Sequence, residues 1–331
     1  MKKILLMVVA AMMAISASAQ GTVKKVYVYQ SDTVAGVFYY GFVDSIVMVD
    51  VVPSKAFSVA DGKQVYFSPG NLQYQASTNT WRFAEHQYDI IGADNTNISS
   101  SYSGWIDLFG WGTSGYDNTT ADPYAIYYQP WSTSTSADVS DAYNVYGYGP
   151  STNQADVDLV GTSANYDWGV YNPISNGGNV AGQWRTLTQS EWQYVSLDRP
   201  NAMSLCGLAT VCGIKGYVLW PDDANPADLG FTVIPTDYTT NTINASTWEV
   251  MEAMGAIFFP AAGLRDGTEV KQCNGNGYYW TASSESGSFS RPRWAPYVTY
   301  PDPDTHYRMD SYSSYRVRYS GFSVRLVKDV E

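Results

Sequence analysis

The chain has 331 residues, 45% of them hydrophobic and 15% charged, and its 31 Asp and Glu against 19 Lys and Arg give a formal net charge of −12. That is enough apolar material for a sizeable core, and acidity without a basic cluster argues against nucleic acid and anionic lipid as partners. Two His and three Cys leave little scope for histidine-based catalysis or a thiolate metal centre.

Met1-Lys2-Lys3 is followed by an apolar run from Ile4 to Ile15 and by Ser16-Ala17-Ser18-Ala19-Gln20. A positive start, a short apolar stretch and an A-x-A-like end predict a secretory signal peptide over residues 1–19. Its loss removes Lys2 and Lys3 and takes the charge from −12 to −14. No other stretch reaches the ~18 apolar residues of a membrane-spanning helix, and no Cys marks the cleavage site for a lipid anchor. The expectation is an exported protein, in the periplasm, at the cell surface or secreted.

Residues 20–53 read as a small β module. Lys25–Tyr29, Gly36–Tyr40 and Ser45–Val49 are short runs of β-branched and aromatic residues, and Val52-Pro53-Ser54 is a hinge. Residues 54–331 read as one α+β domain. Val65-Tyr66-Phe67 and Leu72-Gln73-Tyr74 flank Ser68-Pro69-Gly70-Asn71, which predicts a hairpin. Residues 93–165 are loop-rich in Ser, Thr, Asn, Gly and Tyr. Within them, Gly104–Gly112 carries Trp105 and Trp111 beside Ile106, Leu108 and Phe109, a pattern of core packing rather than a sugar platform.

Two helices are expected. Thr188-Gln189-Ser190-Glu191 is a capping box opening a helix that must stop before Pro200. Ser246-Thr247-Trp248-Glu249 repeats the pattern, with Gly255 as the stop. Ala256–Phe259 suits a buried strand, as do Gly216–Trp220 and Phe322–Val327. Asp222-Asp223 reads as a cap or turn. Of the three cysteines, Cys206 and Cys212 form a conceivable disulfide and one thiol is left over.

The last fifty residues differ from the rest. Gly277–Ser283 and Gly321–Val327 are rich in Gly, Trp, Val and Leu, while Glu285–Ser320 between them is dense in Tyr, Ser, Arg and Asp. Tyr and Trp offer stiff, amphipathic contact area, and Ser and Gly adapt their hydrogen bonds. The candidate ligand-binding residues are Phe289, Arg291, Arg293, Trp294, Tyr297 and Thr299, then Asp302, Asp304, His306, Tyr307 and Arg308, then Asp310, Tyr312, Tyr315 and Tyr319. Period-two alternation turns Val298 and Tyr300 to one face and Tyr297 and Thr299 to the other. Tyr300-Pro301-Asp302-Pro303-Asp304 falls short of the six or more oxygens calcium takes. No nucleophile elbow, H-E-x-x-H or phosphate-cradling loop is present, and no carboxylate pair is singled out for glycoside hydrolysis. No catalytic residue, metal or cofactor is expected.

Four blocks, in order, resemble a known family: Trp184–Trp192 (WRTLTQSEW), Phe259–Arg265 (FPAAGLR), Tyr279–Ser283 (YWTAS) and Gly321–Val327 (GFSVRLV). Over about residues 57–328 they are similar to the formylglycine-generating-enzyme branch of the C-type lectin-like fold. Within it, the likeness is greatest to exported variable proteins of bacterial diversity-generating retroelements. The resemblance implies a C-type lectin-like domain of two helices, antiparallel strands and long loops. It implies a variable-type region over 277–327, with Ala295, Val298, Tyr300 and Gly321 fixed and diversified positions between them. The copper-binding cysteine pair of the enzymes is missing, since only Cys273 lies near, so oxidase chemistry is not implied. The calcium-dependent sugar motifs of true C-type lectins are also missing. The expected function is recognition of a protein or glycan ligand. A degenerate or uncharacterised carbohydrate-active enzyme and a structural surface subunit are the alternatives.

Overall fold

A computed structural model describes residues 55–117, 129–133, 158–233, 238–283 and 320–330, together with the backbone of 24–30, 33–40 and 297–298. Strands dominate and helices are few and short, so the fold class is α+β, mostly β.

The N-terminal strands β1 (Lys24–Gln30) and β2 (Thr33–Tyr40) form an antiparallel hairpin, with Val26 opposite Phe38 and Tyr27 opposite Val37. The run at residues 45–49 and the hinge at 52–54 lie outside the described residues. Then come β3 (Phe57–Ala60), β4 (Lys63–Phe67), β5 (Leu72–Gln75) and β6 (Thr80–Phe83). The hairpin expected between Val65–Phe67 and Leu72–Tyr74 does not form. β4 pairs with β3, and β5 pairs with β6 in another sheet. Ser68-Pro69-Gly70-Asn71 carries the chain between sheets, and both its ends hang on the C-terminal segment, Ser68 N–H to Leu326 O at 2.8 Å and Leu72 N–H to Val324 O at 2.9 Å. Gly70 is required there, because a Cβ would lie 2.6 Å from the Ala84 carbonyl oxygen.

A four-residue helix α1 (Trp168–Tyr171) is capped by Asp167, which accepts from Gly169 N–H at 3.0 Å. After β7 (Arg185–Thr186), α2 (Gln189–Gln193) starts with the expected capping box. Thr188 Oγ1 accepts from Glu191 N–H, and the Glu191 carboxylate accepts from Thr188 N–H at 2.9 Å. The chain then widens into a π turn over Tyr194–Asp198.

β8 (Cys206–Val211) and β9 (Ile214–Leu219) form a hairpin. β10 (Thr242–Ile243) lies parallel to β8, α3 (Ala245–Ala253) follows, and β11 (Ile257–Pro260) pairs with β9. The cap of α3 corrects the sequence reading. Asn244, not Ser246, accepts the Thr247 N–H at 2.9 Å, and Ser246 sits inside the helix. Asn and Ser cap about equally well; the backbone turns at Asn244 because β10 has just ended. The Cys206–Cys212 pairing is also corrected. The two residues bracket β8, six residues apart at about 3.3 Å each, so some 20 Å separates them, whereas a disulfide needs Cα atoms within about 7 Å. None of the three is in a disulfide: Cys206 is buried, with its Sγ 4.0 Å from Met203 O, and Cys212 and Cys273 are exposed.

The chain closes through β12 (Leu264–Asp266), β13 (Glu269–Lys271), β14 (Gly277–Tyr278), β15 (Tyr297–Val298) and β16 (Leu326–Asp329). β16 inserts between β4 and β7, so the first and last strands of the domain share the sheet β3-β4-β16-β7.

The sheet β10-β8-β9-β11 explains the continuously apolar run at Ile257–Phe259. Alternate residues face different cores. Tyr217, Leu219, Ile257 and Phe259 join Phe57, Phe67, Trp192, Tyr279 and Val327. Val218, Trp220 and Phe258 join Ile243, Trp248 and Met251. A third cluster holds Trp81, Phe83, Phe109, Trp111, Trp168, Trp280 and Phe322. Trp111, Ile106, Leu108 and Phe109 are all fully buried, as core packing requires. Trp105 is half-buried, with the Arg82 guanidinium 3.7 Å above its ring.

Candidate functional site

The two blocks that flank the Tyr-rich segment are built into the core and into each other. Trp280 N–H donates to Ser323 O at 3.0 Å, and Ser323 N–H donates to Tyr278 O at 3.0 Å. Phe322 exchanges two backbone hydrogen bonds with Phe109, at 2.9 and 2.8 Å. Gly321 does the same with Arg265, at 2.7 and 2.9 Å. A Cβ at Gly321 would lie 2.8 Å from Arg265 Cβ, so glycine is what lets these strands close. The indole N–H of Trp280 reaches Phe109 O at 2.6 Å, and that of Trp111 reaches Thr281 O at 2.8 Å. Phe322 packs on Trp280 and Tyr278, with ring centroids 4.4 and 5.0 Å apart.

Two arginines stiffen this frame from within. Arg325 is fully buried, donates to Asn71 Oδ1 at 3.2 Å and to Gln87 Oε1, and lies 5.5 Å from the Phe259 ring centre. Arg265 is fully buried and donates to the carbonyls of Gly267 at 3.0 Å and Leu108 at 3.3 Å. Burial pushes both guanidinium groups down to about 10, still charged at neutral pH. Their Nε atoms are without a hydrogen-bond partner. Such charges are tolerated because amide and carbonyl oxygens replace water around them.

The two blocks pair in parallel, Tyr279 beside Ser323, so the segment leaves near α2 and returns at the opposite end of the pairing, where Gly321 meets Arg265. Ser283 Oγ accepts the Gln189 N–H at 3.0 Å on the departing side, and Ser320 is buried on the returning side. Of the candidate ligand-binding residues, only Tyr297 falls within the description, as backbone, where it pairs with Tyr278 while Val298 pairs with Gly277. Phe289, Arg291, Arg293, Trp294, Thr299, Asp302, Asp304, His306, Tyr307, Arg308, Asp310, Tyr312, Tyr315 and Tyr319 lie outside the described residues. The same holds for Ala295 and Tyr300 and for the acidic loop at 300–304.

A neighbour of the frame was not legible in the sequence. Leu159 N–H donates to Ala282 O at 2.7 Å, which sets the chain at residue 159 beside the end of the Gly277–Ser283 block. Close to this point Tyr116 makes edge contacts with Tyr166 and Tyr171, at 5.0 and 5.2 Å, and Ser114 Oγ donates to Asn165 O at 2.7 Å. Composition marked residues 93–165 as loop, and nothing local tied their end to residue 282.

The titratable groups that stand out are structural. Asp107 and Asp167 are fully buried, and burial raises both to about 6 against the hydrogen bonds they accept, from Ile91 N–H and Asn95 Nδ2 for Asp107 and from Thr186 and Gly169 N–H for Asp167. Asp222 sits in a turn, as its sequence predicts, closed by Ala224 N–H to Pro221 O at 3.2 Å, and its carboxylate reaches across the fold to accept from Ser58 N–H and Oγ, Gln64 Nε2 and buried Arg199. His86 is exposed and stacks on Tyr88 at 5.0 Å. Among the described residues no cluster of three His, Cys, Asp or Glu could hold a metal ion, and no helix is long and apolar enough to cross a membrane. Comparison with protein-family models, with curated proteins and with solved structures finds no match.

Proposed function

We propose that the protein is an exported ligand-binding protein. In this reading a C-type lectin-like domain holds the Tyr-, Ser-, Arg- and Asp-rich segment between residues 283 and 320 as its recognition surface, for a protein or a glycan. The observation that carries it is the pairing of the two flanking blocks, Tyr278 and Trp280 with Ser323, inside a core of large rings. A long polar-aromatic segment rooted at both ends in such a frame can change its sequence with little cost to the fold, since the stabilising contacts belong to the frame. Arg, Trp and Tyr, at Arg291, Arg293, Trp294, Tyr297 and Tyr307, are the types that dominate interface energies. The four sequence blocks shared with variable proteins of diversity-generating retroelements support the same reading. Three of them, Phe259–Arg265, Tyr279–Ser283 and Gly321–Val327, supply buried parts of the frame.

The test compares coding sequences from many isolates of the source population and then assays binding. Substitutions should concentrate at positions such as Arg293, Trp294, Tyr297 and Tyr307 and spare Trp280, Gly321 and Phe322. An adenine-rich near-copy of the 277–327 coding region should lie beside a reverse transcriptase gene. Once a ligand is captured on glycan and extracellular-protein arrays, alanine at one or more of those four positions should cost about 1–2 kcal/mol or more of binding. Variation spread evenly over frame and segment, with binding indifferent to all four changes, refutes the proposal.

A further inference from the structure

We infer that Arg325 is the positioning residue of the C-terminal frame: its contacts select the register in which Gly321–Val327 seats, and with it the place at which the segment ending at Ser320 returns. The inference holds whatever that segment recognises. Apolar packing alone leaves this register underdetermined. Phe322, Val324 and Leu326 alternate into the core around Trp280, while Val327 enters the core around Trp192. In an extended segment a slip of one residue exchanges the two faces, but a slip of two preserves them. After a two-residue slip in either direction, two of the three places held by Phe322, Val324 and Leu326 would still receive an apolar side chain. Gly321 guards only the start of the block, where it passes Arg265.

Arg325 distinguishes these registers because its two acceptors are held in place by other bonds. Gln87, 1% exposed, donates through Nε2 to Glu252 Oε1 at 2.8 Å and to Ala256 O at 3.2 Å, while its Oε1 takes the Phe258 N–H at 2.8 Å. That orientation aims Gln87 Oε1 at Arg325 Nη2 and sets the Glu252 carboxylate behind it. Asn71, also 1% exposed, donates through Nδ2 to Tyr279 Oη at 3.3 Å, and Tyr279 donates in turn to Pro260 O at 2.9 Å. Asn71 Oδ1 is thereby left to accept from Arg325 Nη1 at 3.2 Å. Neither amide belongs to the C-terminal block: Asn71 ends the crossover between β4 and β5, and Gln87 follows β6. A slip of two moves the guanidinium to the place of Ser323 or of Val327, away from both oxygens, and leaves a buried charge without acceptors. The correct register gains much less, because a buried cation with two neutral acceptors is worth little more than an apolar side chain of the same size. Arg325 therefore selects the arrangement more than it stabilises it.

Arg325→Met and Arg325→Lys test this, read on the full chain by urea unfolding and by hydrogen exchange with mass spectrometry. The Met variant should keep its urea midpoint within about 0.5 M of the parent. Its amides over residues 321–329 should nevertheless exchange about tenfold faster or more, in two mass envelopes, while β8 and β9 keep their protection. Arg325→Lys returns the charge and a contact to one acceptor, so it should restore a single slow envelope despite a lower midpoint. A single slow envelope in the Met variant overturns the inference, since apolar packing and Gly321 would then suffice. A Met variant that fails to fold, or whose midpoint falls further, overturns it too, because the arginine would then be an ordinary stabilising residue. Exchange over 321–329 that merely follows the midpoint across the three proteins has the same consequence.

Discussion

Glu191 is the charge on which several elements converge, and its removal is the sharpest test of how the domain is held together. Its carboxylate, 9% exposed, accepts from Lys63 Nζ at 2.7 Å and from Arg185 Nη1 and Nη2 at 2.8 and 2.9 Å, as well as from Thr188 N–H. It thereby ties β4, β7 and the start of α2 together, and Arg185 extends the network to Asp329 at the end of β16, 2.7 Å away. Burial disfavours the charge, yet the hydrogen bonds from Arg185, Lys63 and Thr188 hold Glu191 down from 4.5 to about 2. At about 1.4 kcal/mol per pH unit, that depression corresponds to roughly 3 kcal/mol of stability at pH 7. The sign follows from the lowered value: the contribution is complete above about pH 4.5 and is lost as pH falls towards 2. Glu191→Gln keeps the shape but turns an amide N–H₂ towards two cations, so it should destabilise by about 2–3 kcal/mol at pH 7. The estimate stays below the ~3–5 kcal/mol typical of a broken buried pair because Arg185 retains Asp329. Urea unfolding of both proteins at pH 7 and pH 3 measures it, and the gap should shrink to about 1 kcal/mol at pH 3. A gap under about 1 kcal/mol at pH 7, or one that is the same at both pH values, would refute the reasoning.

Other expectations concern the cap, the frame and pH. Thr188→Ala removes half of the capping box and should cost about 1 kcal/mol, read as a lower urea midpoint with unchanged slope. Phe322→Ala should cost about 3–5 kcal/mol, because the ring is fully buried between Trp280 and Tyr278 and little around it can collapse; a loss below ~1 kcal/mol would mean the frame is not packed as described. Asp107 and Asp167, raised from 3.8 to about 6, bind protons in the folded state that the unfolded chain releases, so their contribution is present below about pH 4 and lost as pH rises through 6. With Glu191 acting only at lower pH, the urea midpoint should pass through a maximum near pH 4–5 rather than climb steadily to neutrality, and a steady climb from pH 4 to 7 would show that neither aspartate is raised.

What could be read in the sequence was what short-range chemistry specifies. The capping box at Thr188 and Glu191 works within one turn of chain, and the run at 106–111 reads as core because Ile, Leu and Phe accompany its Trp. The continuously apolar run at Ala256–Phe259 marks a buried strand by composition alone, while the two different cores its alternate residues enter were decided by the sheet. The contrast between Gly277–Ser283, Gly321–Val327 and the polar-aromatic segment between them is likewise compositional, and it located the proposed site. The misreadings were of longer range. Ser68–Asn71 has every local mark of a hairpin turn, but β4 and β5 separate because the C-terminal segment supplies hydrogen-bond partners to both ends of that turn. Ser246 matched the capping pattern, yet Asn244 took the role because the end of β10 sets where the helix begins. Cys206 and Cys212 are near in sequence and far in space because extended strand lies between them. Only the tertiary structure decided that Tyr278 and Trp280 meet Ser323, that β16 closes the first sheet, and that residue 159 joins residue 282. Each of these joins backbone groups far apart in the chain, and their partners are chosen by which buried N–H and C=O groups remain unpaired once the cores have closed. Local sequence does not encode that choice.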